Sequence, residues 1–278
     1  MGSDKGTSIS IHEITSNELD IVTGICLDPS VPKTWKKAMK SSMEARKSWL
    51  ASMMLHGLTV AIALGPRGGK KGLIEYVPIQ LASEPVKGRT TLFINCLWVV
   101  PPAWEKGIAK ALLRYAIDDG RKTGGISVLA YEGDKWFGYF PYMPASFFGK
   151  FGFKEVDRDG SRVLLHLDLG GDDQPSLIPP RTRQMHDTST STVEILFNNQ
   201  CPWSGWMVDK AKRALKRYDV TVTSINTDDR KMVEKFGLSR GVIINGKPVI
   251  KRMATVKEIE SAVKEIVPLK SQKGKHIH

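Results

Sequence analysis

The stretch CLWVVPPAWEKGIAKALL, Cys96 to Leu113, decides how the rest of the chain is read. The apolar run from Leu92 to Val100 ends at Pro101. A short loop then reaches Lys106-Gly107-Ile108-Ala109, and Ile108, Ala111, Leu112, Tyr115 and Ala116 recur at helical spacing. The pattern predicts a buried strand, a glycine turn and a helix with an open N-terminus. Such an end binds phosphate, because its first N–H groups have no intrahelical acceptor and its dipole end is positive.

Outward from that stretch, helix and strand signals alternate. Helical patterns cover Ser16 to Cys26 and Pro32 to Met54, and strands are predicted at Leu58 to Leu64, Lys71 to Leu81 and Thr90 to Val100. The helix from Lys106 to Lys122 follows, then a strand from Ser127 to Tyr131. A short helix around Pro144 to Phe151 and strands near Phe153 to Asp157 and Arg162 to Leu167 complete the first region. The fold class expected is α/β, in the α+β sense, with a mixed and mostly antiparallel sheet.

The order V-x-P-x-x-x-x-x-G-x-A, Val99 to Ala109, resembles the acetyl-CoA pyrophosphate loop of the GNAT N-acetyltransferases. A second segment, ASFFGKFGFKEV from Ala145 to Val156, resembles that family's later helix and strand and lies one strand after the loop helix. The resemblance implies the GNAT fold, with acetyl-CoA as cofactor. It implies that Leu97, Trp98, Val99 and Val100 line the cofactor with backbone groups. It also implies that Trp104, Glu105, Lys106, Gly107, Ile108, Ala109 and Lys110 surround the pyrophosphate. Trp104 departs from the family, which has Gln or Arg there; an indole can stack on the cofactor but cannot replace the polar group.

Acetyl transfer to an amine needs a base for the ammonium and an acid for the departing thiolate. The position of the family's acid tyrosine is Phe148 here, so Tyr139 and Tyr142 in WFGYFPYMP are the candidate replacements; their alternative role is aromatic packing. The family's base position holds Cys96. A thiol there is a nucleophile, a contact for a thiol or metalloid substrate, or a small core residue. Glu75, in GLIEYVPI, is the candidate carboxylate base, or else a solvent-facing strand residue.

A Gly, Pro, Ser and Thr-rich stretch, Leu169 to Thr192, reads as a boundary. The domains expected are 1–169, a linker at 170–192, and 193–278. The last region predicts a strand from Val193 to Phe197 and a helix after Cys201-Pro202-Trp203-Ser204. A strand from Val220 to Ile225, a helix from Asp228 to Phe236, a hairpin turning at Asn245-Gly246 and a helix from Thr255 to Val267 follow. This order resembles the thioredoxin/glutaredoxin fold with Ser204 in place of a second cysteine, and Arg240 where that fold has a cis-proline. The resemblance implies a monothiol site of Cys201, Ser204 and Arg240; a module for packing or dimerisation is the alternative. The pairing of both regions resembles the YoaP-type acetyltransferases.

Composition bounds the rest. The 278 residues suit two domains, and the formal net charge of +12 suits a polyanionic cofactor such as coenzyme A. Nucleic acid is not the expected partner. The start MGSDKGTSIS lacks the apolar core of a signal peptide, and no apolar run is long enough for a membrane span. Three scattered cysteines make neither a disulfide framework nor zinc spacing, so no metal and a cytoplasmic setting are expected. The function expected is direct transfer of acetyl from acetyl-CoA to an amine of a small molecule or peptide. The alternatives are a non-catalytic acyl-CoA or redox sensor, or a thiol- or metalloid-directed acyltransferase.

Overall fold

The computed structural model describes residues 9–27, 31–133, 143–184 and 190–267. The chain divides into two units, Met1–Ile178 and Pro179–His278.

Unit 1 runs β1 (Ser10–Glu13), α1 (Leu19–Cys26), α2 (Lys33–Ala38), α3 (Lys40–Met54), β2 (Thr59–Leu64), β3 (Lys70–Pro78), β4 (Val86–Lys87) and β5 (Leu92–Val99). It continues through α4 (Ile108–Gly120), β6 (Gly125–Tyr131), α5 (Ala145–Gly149), β7 (Lys154–Asp159), β8 (Arg162–Asp168) and β9 (Ser176–Leu177). Seven strands form one sheet in the order β1-β2-β3-β5-β6-β8-β7. Only β5 and β6 pair in parallel; every other neighbour is antiparallel. The mixed, mostly antiparallel sheet predicted by the sequence is the one present.

The main core joins α1, α3 and α4 to the sheet through residues such as Val22, Leu50, Ile62, Leu73, Leu112 and Val128. A smaller cluster on Ile79, Phe93, Leu129, Leu164 and Leu177 lies apart from it. Strands β3 and β5 approach closely at Gly72, where an added Cβ would stand 2.5 Å from the Trp98 carbonyl oxygen. Only glycine fits there without parting the strands.

Three features differ from the sequence expectation. Strand β1 is an edge strand with mostly exposed residues, so it carries no apolar alternation to reveal it. The helix expected over Pro32 to Met54 is two helices, because Met39 adopts φ −92° and ψ 4° between them. The described residues of the stretch 170–192 divide between the units at Ile178. Its β9 pairs with β4, while Arg181 N donates to Phe236 O at 3.0 Å and Arg183 N to Gly246 O at 2.9 Å.

Unit 2 contains β10 (Ser191–Phe197), α6 (Pro202–Leu215), β11 (Val220–Asn226), α7 (Arg230–Phe236), β12 (Gly241–Ile244), β13 (Lys247–Ile250) and α8 (Val256–Ile266). Its sheet order is β11-β10-β12-β13, with β10 and β11 parallel and the other two pairings antiparallel. Val193, Ile195, Val208, Leu215, Ile259 and Val263 form its core.

Candidate functional site

Strand β5 builds the site by leaving its neighbour. Leu92, Phe93 and Ile94 pair with Ile126, Ser127 and Val128 of β6, and the pairing stops there. On the other side β5 stays on β3 as far as Val99, but with a bulge: Tyr76 faces Ile94, Glu75 faces Cys96, and Asn95 is the extra residue. A bulge bends its strand and sharpens the local twist. The edge of β5 beyond Asn95 is therefore unpaired toward β6 among the described residues, and it leads to the glycine loop.

Asn95 fixes that turning point. It is buried amid apolar neighbours, and its Oδ1 accepts from Ser83 N at 3.2 Å and Ser83 Oγ at 3.0 Å. The sequence reading passed over it, although an Asn inside LFINCLWVV is the kind of interruption that marks a bulge.

The loop is braced by the residue that departs from the family pattern. Trp104 Nε1 donates to the Val99 carbonyl at 2.7 Å, while its ring is 40% exposed. The indole is thus an anchor for the loop with one face left to solvent. Glu105 (φ 61°) and Gly107 (φ 74°) both take the left-handed conformation, which turns the chain into α4. An added Cβ on Gly107 would meet nothing within 4 Å, so the space before the helix is open. Among the described residues the amides of Gly107, Ile108, Ala109 and Lys110 have no acceptor; the first α4 bond runs from Ala111 N to Gly107 O at 3.0 Å. Lys110 is exposed beside them, and Lys106 folds its ammonium onto Pro102 O at 2.9 Å. Val100 differs from the expectation that it lines a ligand with its amide, because that N–H already donates to Lys71 O at 3.0 Å. Leu97, Trp98 and Val99 lie on β5 beyond its last pair with β6, still in register with β3.

Glu75 and Cys96 are brought together as cross-strand neighbours. Glu75 is completely buried and accepts from Arg46 Nη2 of α3, itself 1% exposed. Burial opposes the charge on Arg46, but Cys26, Glu75 and Cys96 around it outweigh that and hold the guanidinium firmly protonated. Glu75 is neither solvent-facing nor open to a substrate ammonium; its carboxylate is committed to Arg46. Arg46 was missed by the sequence reading. Its signal was position: Met43, Arg46, Trp49 and Leu50 form the inward stripe of α3, and a charged residue there needs a buried partner.

Phe148 fills the place of the expected tyrosine and is completely buried, edge-on to Phe147 and Phe153. Tyr139 and Tyr142 lie outside the described residues.

In unit 2, Cys201 caps the N-terminus of α6 with Pro202 next, and is half-buried. Ser204 is buried one turn on, its amide donating to Cys201 O at 3.0 Å. Arg240 is buried too and grips the loop before the cysteine, donating Nε to Asn198 Oδ1 at 3.0 Å and Nη2 to Gln200 Oε1. No peptide among the described residues is cis, and none of their His, Cys, Asp and Glu side chains cluster as a metal site.

Residues 36–135 match the model of the acetyltransferase (GNAT) family. The match lies within unit 1 and takes in β5, the glycine loop and α4. A relative in Bacillus subtilis (strain 168), described as the uncharacterized N-acetyltransferase YoaP, is 27% identical over 203 residues, 72% of this chain and 77% of that one. Among solved structures, the PaiA N-acetyltransferase of Thermoplasma acidophilum in complex with coenzyme A is 20% identical with a TM-score of 0.40, over 58% of this chain and 99% of that one. The GNAT-family YhbS of Escherichia coli in complex with CoA is 12% identical with a TM-score of 0.42, over 61% of this chain and 86% of that one. GNAT enzymes take the acetyl group from acetyl-CoA, and the open loop and the unclaimed amides of Gly107 to Lys110 fit that ligand. No helix among the described residues is long and apolar enough to cross a membrane.

Proposed function

We propose that this acetyltransferase moves the acetyl group directly to the amine of a small molecule or peptide held beside the cofactor, with no acyl-cysteine between. The observation that carries the reading is the parting of β5 from β6 directly before the loop with unclaimed amides. Acetyl-CoA supplies an activated thioester. The protein's part is to bind and orient. The amides of Gly107 to Lys110, with the positive end of α4, would hold the pyrophosphate. The part of β5 that has left β6, at Leu97, would fix the extended arm by strand-like hydrogen bonds, which would set the thioester near Cys96 and Asn95.

Glu75, committed to Arg46, acts here as a positioning residue that holds the guanidinium beside Cys96. Cys96 lines the acceptor side as a compact wall. Tyr139 and Tyr142 are the acids to test on the leaving thiolate, each as a Phe variant, by the fall in kcat at unchanged KM for acetyl-CoA. In unit 2 the β11-β10-β12-β13 order, with a cysteine at the first strand-to-helix junction, supports a thioredoxin-like reading with Cys201 as its one thiol.

The deciding experiment is calorimetric titration with acetyl-CoA of the parent and of Gly107→Trp. Micromolar binding by the parent and a loss of at least about 100-fold in the variant are expected, since a bulky left-handed side chain both strains the turn and fills the phosphate space. Equal binding by the two proteins would remove the loop from the site.

A further inference from the structure

The stretch VPKTWKKAMKSSM, Val31 to Met43, carries four lysines and no acidic side chain. Lys33, Lys36, Lys37 and Lys40 stand at i, i+3, i+4 and i+7. Met39 separates α2 from α3, but helical bonds run on both sides of it, from Met39 N to Trp35 O and from Met43 N to Met39 O, each at 2.9 Å, so the turn is nearly continued. The lysines therefore share one face. Lys33, Lys37 and Lys40 are exposed and Lys36 is half-buried, and none makes an ion pair among the described residues. Trp35 lies beside them, 42% exposed. Elsewhere in this unit Arg46, Lys47, Arg89, Arg121, Lys122, Arg158 and Arg162 each face a carboxylate.

Topology places this face at the site. Strand β3 is antiparallel to both β2 and β5, so β2 and β5 run the same way. Helix α3 feeds β2 through four residues, 55–58, and so runs opposite to both. Arg46 lies level with Glu75 and Cys96. Lys40 is six residues earlier, about 9 Å further along the axis, at the level where β5 ends and the glycine loop begins. Like charge held together at the mouth of a site costs free energy in the free protein and is repaid only by an anion.

We infer that the α2 face docks an acidic stretch of a peptide acceptor, holding its amine-bearing end toward the mouth formed by β5 and the glycine loop. The lysine stripe spans about 10 Å, which an extended segment of about three or four residues covers at about 3.3 Å per residue. Trp35 gives that segment an apolar surface. A nucleic acid is the poorer occupant, because specific nucleic-acid interfaces spread over about 1,000 Å² or more with many phosphate contacts, and the stripe is only about 10 Å long. The inference takes its purpose from the acetyl-transfer reading, but docking is measurable apart from it.

The test is fluorescence anisotropy of the full chain with a labelled, N-acetylated peptide of about eight residues bearing about four glutamates, at low and at physiological salt. Binding that weakens with salt, and that falls at least about tenfold in Lys36→Glu/Lys37→Glu, is expected. The milder Lys36→Ala/Lys37→Ala should fall between. Acetyl-CoA titration of the same variants should stay within about twofold of the parent. The inference is overturned if the parent binds a glutamine version of the peptide equally well, or if charge reversal leaves peptide binding unchanged. It is equally overturned if the variants lose acetyl-CoA instead, or if a single-stranded oligonucleotide binds more tightly and displaces the peptide. A parent that binds the peptide but not acetyl-CoA would sink the acetyl-transfer reading and leave the docking face standing.

Discussion

At the residue scale, the Arg46–Glu75 pair is the costliest feature of the core. Two charges have been taken from water, and each recovers part of that cost through the other. Removing one partner strands the other, so Glu75→Gln should lose about 3–5 kcal/mol of stability in urea denaturation. Replacing both, as Arg46→Met/Glu75→Leu, should cost clearly less than Glu75→Gln alone. Equal losses would mean that a stranded charge is not what destabilises Glu75→Gln. Neither residue announced this arrangement in the sequence. Strand alternation cannot tell which face of a doubly covered sheet holds Glu75, and Arg46 looks like any surface cation until the inward stripe of its helix is drawn. Gly107 is the contrary case: its left-handed turn was readable because few residues other than glycine take that conformation cheaply.

At the scale of elements, helices and long strands were legible and short ones were not. The α4 and α8 patterns follow from apolar spacing and, for α8, a Thr255–Glu258 capping box. The two-residue strands β4 and β9 carry no pattern at all, and they exist because tertiary contacts hold them. One such contact is Asp173, whose Oδ2 accepts from Arg89 N at 2.8 Å, Thr90 N at 3.0 Å, and Thr91 N and Oγ1 at 3.2 Å and 3.1 Å. Burial pushes its pKa up, but these donors outweigh burial and hold it below the usual carboxylate range. A carboxyl lowered by folding stabilises fully above its unfolded pKa of about 4, and the contribution fades as pH falls through the lower folded value. Asp173→Ala should therefore cost about 2–3 kcal/mol at neutral pH, by leaving buried donors unsatisfied, and progressively less in acid. A loss independent of pH would assign the effect to packing rather than to charge.

For the whole molecule, charge and the division into units matter most. A net charge of +12 draws a polyanionic ligand from a distance, and screening shortens that reach to about 10 Å at 0.1 M salt. Acetyl-CoA affinity should fall about tenfold between about 50 mM and 500 mM salt, through a slower association rate. A flat salt response would place the attraction in contact geometry alone. Composition predicted this sign of charge, and the compositional break near residue 170 pointed to two units. It did not reveal that the break itself is built in: β9 is stitched to unit 1 and Arg183 to Glu194 of unit 2.

The parting of β5 from β6 also has a colloidal side. A row of unclaimed strand groups is a template on which another molecule's strand can grow. An enzyme that keeps such a row open for its ligand carries a sticky seam whenever the ligand is absent. Cofactor that lies along the seam closes it, so heated protein should scatter less light with coenzyme A than without. Scarcity of the acetyl donor would then threaten the enzyme's solubility before it limited its turnover.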